Sequence, residues 1–121
     1  MAESKLILLA HGSKDPLWRV SFEQLLAMIK QELGDKVELA YLQYCSPNLE
    51  ELVEKAYQEG NLDLTVLPLF MSSGSHLRAE LPKLIQELET KRENLKIRLE
   101  SAIGEDLSVQ KAILELAKRH V

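Results

Sequence analysis

Leu6-Ile7-Leu8-Leu9-Ala10-His11-Gly12-Ser13 is the stretch that decides the fold. Five apolar residues run without a polar break and end in a histidine and a glycine. An unbroken apolar run of strand length belongs to a strand buried on both faces, the situation at the centre of a parallel sheet. Leu64 to Phe70 (LTVLPLF) is a second such run. Val37 to Tyr44 is apolar and aromatic but broken by Glu38 and Gln43, and Leu95-Lys96-Ile97-Arg98-Leu99 alternates as a sheet edge does. Between the runs the period changes. Phe22, Leu25, Leu26, Ile29 and Leu33 recur at helical spacing, and so do Leu49, Leu52, Val53, Ala56 and Tyr57. Leu77, Leu81, Leu84, Ile85 and Leu88 form a third stripe, and Val109, Ile113, Leu116 and Ala117 a fourth. Asp15-Pro16 and Ser46-Pro47 read as cap-plus-first-turn pairs, and Gly34 and Gly60 as helix stops.

The alternation of strand and helix predicts a single three-layer α/β domain over residues 1–121. It has a four-stranded parallel sheet in the order 2-1-3-4 and helices on both faces. That order puts the two unbroken runs side by side. The chain direction switches between them, and ligands of open parallel sheets bind outside the carboxyl ends of the strands at such a point.

Composition narrows the function. Hydrophobic residues make up 45% and charged residues 28% of 121, which excludes a disordered chain. The formal charge of −4 argues against a nucleic-acid or membrane-surface binder, because phosphate contacts need a basic face. The one cysteine, Cys45, excludes an internal disulfide and a multi-cysteine metal cage, and it reads as a small buried filler. The apolar run Leu6 to Ala10 is too short for a signal-peptide core or a membrane span, so the expected location is the cytoplasm.

Chemistry gathers at the switch point. His11 follows the first run directly. Met71-Ser72-Ser73-Gly74-Ser75-His76 follows the third. Two neutral imidazoles facing one crevice suit a borderline divalent metal such as Co²⁺, Fe²⁺, Ni²⁺ or Zn²⁺, and two ligands leave positions open for an acceptor. If the third helix has begun by His76, Glu80 shares its face and can orient the imidazole or take a proton; if it begins only at Pro82, that geometry is lost. His120, beside Lys118 and Arg119, reads as a helix-dipole complement, and Trp18 as a packing anchor.

Leu8-Leu9-Ala10-His11-Gly12-Ser13, together with Pro68-Leu69-Phe70 and Gly74-Ser75-His76-Leu77-Arg78-Ala79-Glu80-Leu81-Pro82, resembles the class II tetrapyrrole chelatases. The match is to the small CbiX type, the sirohydrochlorin cobaltochelatases, with their ferrochelatase and nickel-chelatase cousins. The resemblance runs from about Leu6 to the last helix. It implies a chelatase-like half domain that inserts Co²⁺, Fe²⁺ or Ni²⁺ into sirohydrochlorin without ATP or an organic cofactor, with the metal as substrate. By motif match, His11 and His76 are the implied metal ligands and His11 the implied proton acceptor. Glu80 stands where the family has an acidic residue, and Met71, Ser72, Ser73, Gly74 and Ser75 are the implied tetrapyrrole contacts. Larger members hold two such halves facing one cleft, which implies a homodimer here. The chain departs from the family at Gln43, where a glutamate is common; an amide cannot carry negative charge or remove a proton. The substrate is a polycarboxylate, so Lys14, Arg19, Arg78 and Lys83 are candidates for its carboxylates.

Two other classes compete. A phosphohistidine carrier resembling the mannose-type IIA component also has a histidine-glycine pair after its first strand. It lacks a second histidine after the third, so His76 discriminates, and stable phosphate labelling of His11 would favour the carrier. A non-catalytic metal- or tetrapyrrole-binding protein is the other. Protonated imidazole does not bind metal, so chelatase activity is expected to fall as pH drops through about 6 to 6.5. A flat rate profile down to about pH 5 would rule out imidazole ligation.

Overall fold

The computed structural model describes residues 4–121. Four strands, β1 (Ser4–Ala10), β2 (Val37–Tyr41), β3 (Asp63–Pro68) and β4 (Lys96–Leu99), alternate with four helices, α1 (Pro16–Leu33), α2 (Leu49–Gln58), α3 (Ser75–Thr90) and α4 (Leu107–Lys118). The sheet is parallel in the order β2-β1-β3-β4. β1 pairs with β2 from Leu6↔Val37 to Ala10↔Tyr41 and with β3 from Ser4↔Asp63 to Leu9↔Pro68.

The unbroken run behaves as expected: Ile7, Leu8, Leu9 and Ala10 are all buried, covered from both sides of the central strand. On one side Leu49, Leu52, Val53 and Ala56 of α2 and Leu81, Ile85 and Leu88 of α3 pack on Ile7, Leu9, Leu64 and Val66. On the other, Trp18, Phe22, Leu26 and Ile29 of α1 pack half-buried over Leu8, Val37, Leu39 and Tyr41. Trp18 is therefore a packing anchor, with its ring 4.4 Å from that of Phe22. At the β4 edge Ile97 is buried while Lys96 and Arg98 face water. Arg92, buried after α3, donates to Glu54 of α2 at 2.8 Å and to the Leu88 carbonyl at 3.2 Å. Hydrogen bonds from Gln58 and then Arg92 hold the Glu54 carboxyl below its ordinary range.

Local signals decide the helix ends, with two corrections. Asp15 caps α1, accepting the Leu17 N–H at 3.0 Å, with Pro16 in the first turn. Ser46-Pro47 does not cap α2. Asn48 does, through a reciprocal capping box with Glu51 (2.8 and 2.9 Å), which satisfies two backbone amides, one more than a Ser46 hydroxyl with Leu49 three residues on could. His120 lies just past the end of α4 rather than on it. α3 does begin by His76 and carries Pro82 inside it. Proline removes one intrahelical donor, which leaves the Arg78 carbonyl without its usual partner. The buried stripe of Leu81, Ile85 and Leu88 outweighs that loss.

The fourth stripe is the larger surprise. α4 buries none of its residues, and Ile113 and Leu116 stand in solvent. No helix among the described residues is long and apolar enough to cross a membrane.

Candidate functional site

The carboxyl ends of β1 and β3 are stitched together beyond their last ladder pair. The Leu69 N–H donates to the Leu9 carbonyl at 2.8 Å. On the other flank the Leu42 and Gln43 N–H groups donate to the carbonyls of Ala10 (2.9 Å) and His11 (3.1 Å). His11 is thus held by backbone bonds at the mouth of the switch point, with its side chain exposed. Its imidazole stacks on Phe70, centroids 4.2 Å apart and planes 29° from parallel. Phe70 is buried. One face of the imidazole is therefore fixed against an apolar floor and the rest of the ring stays open. Phe70 is a site residue that the sequence reading does not assign; its place as the aromatic last residue of the second unbroken run is the signal for it.

Gly12 continues the turn with φ +93°, and a Cβ there would lie 1.7 Å from the Gln43 carbonyl oxygen. Cys45 is half-buried rather than the buried filler expected, and donates its thiol to the Ser13 carbonyl at 3.2 Å. Lys14 sits 5.2 Å over the Tyr44 ring.

His76 and Glu80 share one face of α3. His76 Nε2 lies 3.2 Å from Glu80 Oε2, and both side chains are mostly solvent-exposed. A carboxylate accepting from Nε2–H fixes the tautomer that leaves the Nδ1 lone pair free for a metal. If His76 holds a divalent metal, Glu80→Ala is accordingly expected to weaken its binding about tenfold, measured by calorimetric metal titration. An unchanged affinity would remove Glu80 from the site.

Met71 to Gly74 leads from Phe70, on which His11 stacks, to the start of α3 with His76, and Met71, Ser72 and Gly74 are exposed. Gly74 precedes α3 without any side-chain cap. A neighbouring 3-10 turn, Ile103–Glu105, is pinned there by the Gly104 N–H donating to the Phe70 carbonyl at 3.0 Å. Arg78 lines a groove of about 250 Å³ with Pro68, Ser73, Leu77 and Glu105, and Lys83 lines a second with Leu42 and Glu80. Arg19 is half-buried, close enough to Tyr41 for its charge to act on the phenol. Burial, and then the Glu23 carboxylate, push the Tyr41 phenol above its ordinary value, while Arg19 opposes them. A wider concavity lined by Lys5, Lys36, Glu59 and Asn61 lies at the amino ends of the strands, away from both histidines.

Among the described residues, no three His, Cys, Asp or Glu side chains converge as a metal cage. An open parallel α/β domain with one exposed imidazole beyond each of its two central strands defines the class of protein: a small ligand-binding or transfer domain of the doubly wound type. A family model described as CbiX matches residues 5–120, and the chain belongs to the CbiX family. The sirohydrochlorin cobaltochelatase of Methanopyrus kandleri is 32% identical over 82 residues, 66% of this chain and 57% of that protein. That of Sulfurisphaera tokodaii is 27% identical over 116 residues, 96% of this chain and 89% of that one. Among solved structures, a CbiX protein from Marinobacter aquaeolei VT8 superposes with a TM-score of 0.88 at 34% identity, covering 98% of this chain and 97% of that one. The sirohydrochlorin chelatase SirB from Bacillus subtilis subspecies spizizenii, in complex with cobalt, shares the fold at a TM-score of 0.82 and 22% identity; the match covers 98% of this chain but 51% of that one.

Proposed function

We propose that this chain inserts a divalent metal ion, Co²⁺, Fe²⁺ or Ni²⁺, into sirohydrochlorin on the way to cobalamin or siroheme. The observation that carries the reading is the imidazole pair. His11 lies flat on Phe70 after β1, and His76 touches Glu80 at the start of α3, after β3. The family membership and the names of the relatives point the same way, and neither favours the phosphocarrier.

In this reading the imidazoles replace part of the water shell of the ion and leave its other positions open. The macrocycle docks over Met71 to Ser75, and its pyrrole nitrogens displace the remaining ligands. Two N–H protons leave as the metal enters. As the ion moves to the macrocycle, the lone pair released on His11 takes one proton, and Glu80 takes the other through water. Lys14, Arg78 and Lys83, with the uncapped first turn of α3, supply local positive potential for the carboxylates of the substrate in a protein of net charge −4.

The grooves that flank the first turns of α3 hold about 250 and 380 Å³ and are lined by neither His11 nor His76, which is little wall for a flat macrocycle. The working unit in this reading is therefore a homodimer with two copies walling one cleft. The test is an anaerobic spectrophotometric assay of sirohydrochlorin with Co²⁺, Fe²⁺ and Ni²⁺ in turn. Metallation spectra at rates above the protein-free control support the proposal. A bound but unmetallated spectrum with every ion would replace it with a carrier function, consistent with the neutral Gln43.

A further inference from the structure

We propose that Tyr44 is a specificity-determining contact for the flat ring of the substrate, held at the mouth of the site in a backbone conformation that its own side chain disfavours. The proposal rests on the chelatase reading of the site and adds a wall on its β2 side. Among the described residues, Tyr44 (φ +68°) and Asn94 (φ +65°) are the non-glycine residues with a left-handed backbone. Asparagine tolerates that region, whereas a bulky aromatic residue is strained in it and glycine is not. Such strain persists only where the surroundings fix the backbone, and it gathers at binding sites. Here both neighbours of Tyr44 are bonded to the segment that carries His11. The Gln43 N–H donates to the His11 carbonyl at 3.1 Å, and the Cys45 thiol to the Ser13 carbonyl at 3.2 Å. Between those two anchors the chain turns through a left-handed residue, and the residue placed there carries a large ring.

The core does not use that ring. Tyr44 is 61% exposed, whereas Tyr41 is 4% exposed and packs beside Trp18. Lys14 Nζ lies 5.2 Å from the Tyr44 centroid, so a cation stands beside an open aromatic surface. Met71, also 61% exposed, stands on the opposite flank, because the sheet order β2-β1-β3 puts the ends of β2 and β3 on either side of His11. Two strand spacings are roughly 9–10 Å, a span that a flat macrocycle bridges and a single small ring does not. Between the two flanks lies the His11 imidazole on its Phe70 floor. An exposed aromatic residue with a lysine beside it suits a flat conjugated ligand that carries carboxylates: the ring system stacks on Tyr44, and Lys14 meets a carboxylate at its edge. In a protein of net charge −4, such a pairing selects for the ring as well as for its charge.

The test is an absorbance titration of the full chain with sirohydrochlorin in the absence of metal, alongside steady-state rates of cobalt insertion. Tyr44→Leu is expected to weaken macrocycle binding and raise its KM about tenfold, with kcat within about twofold of wild type, the pattern of a lost uniform contact. Tyr44→Phe keeps the ring and is expected to match wild type in both. Tyr44→Gly is expected to bind the macrocycle as poorly as Tyr44→Leu, yet to unfold at a temperature no lower than wild type, because glycine relieves the left-handed backbone. Unchanged macrocycle affinity in Tyr44→Leu overturns the contact, and a Tyr44→Phe variant as weak as Tyr44→Leu overturns stacking. A thermal midpoint several degrees lower in Tyr44→Gly makes the ring a brace for its loop and overturns the proposal as well. A wild type that takes up no sirohydrochlorin overturns it together with the chelatase reading. Ring-dependent binding with no metallation by any ion would sink the chelatase reading alone and leave Tyr44 in place.

Discussion

His11→Ala is expected to lower the kcat/KM of cobalt insertion at least about a hundredfold while leaving the fold intact. Removing an outer partner of a metal ligand typically costs roughly 10–100-fold, so removing the ligand itself starts at about the upper end of that range. The fold survives because the imidazole contributes little to the core. Its side chain is exposed, and what anchors the segment is the backbone bonds from Gln43 and Leu69 to His11 and Leu9. The stacking contact with Phe70 is lost, but Phe70 remains covered by the cluster around Leu81 and Ala102. His76→Ala is expected to act alike, since His76 is also exposed and sits in a helix that its loss does not break. Two readouts separate this from general damage. Thermal midpoints should stay within about 2 °C of wild type, the shift of a surface change worth a few tenths of a kcal/mol. Co²⁺ binding by the protein alone should be lost in a calorimetric titration. Wild-type turnover in either variant would remove imidazole ligation from the mechanism.

How far the sequence discloses each feature depends on what kind of information that feature needs. Residues 6–10 can be placed at the sheet centre because burial on both faces leaves a mark on every residue of the strand; 64–70 reads the same way and does lie beside them, but Thr65, Leu67 and Leu69 are only half-buried, so its run overstates the cover on one face. The edge position of β4 is equally readable, since Lys96 and Arg98 alternate with Ile97. Helix boundaries are harder, because signals compete locally. Pro47 points to one start, and the capping box of Asn48 with Glu51 wins by satisfying more backbone amides. For α3, the sequence states the condition, a start before Pro82, but not the balance between one lost hydrogen bond and three buried aliphatic side chains. Two features are beyond any periodicity argument. An apolar stripe says that α4 has something to bury, not what buries it. The approach of the Gln43 carbonyl to Gly12 is a contact between segments far apart in the chain, and no local pattern announces it.

That approach makes Gly12→Ala the substitution with the largest expected cost in stability. The methyl group would lie 1.7 Å from the Gln43 carbonyl oxygen and 2.9 Å from its carbon, both backbone atoms that cannot rotate away. The φ of +93° adds the penalty of a left-handed backbone for a residue with a Cβ, about 1–2 kcal/mol. Overpacking of this kind adds about 1–3 kcal/mol, for roughly 3 kcal/mol together. In a domain of this size that lowers the thermal midpoint by roughly 10 °C or more. Gly60 is the internal control. Its φ is +92°, but a Cβ added there would meet nothing within 4 Å, so Gly60→Ala carries the backbone penalty alone. The difference between the two variants in chemical denaturation therefore isolates the steric part. Adding Gln43→Ala to Gly12→Ala should restore nothing, because the obstacle is the main chain of residue 43 and not its amide side chain. Activity should fall further than stability, since the strand extension that Gly12→Ala pushes apart is the one holding His11 at the mouth of the site. Equal midpoints for Gly12→Ala and Gly60→Ala would mean that the segments after β1 and β2 yield to each other, and that the position of His11 is not fixed by their contact.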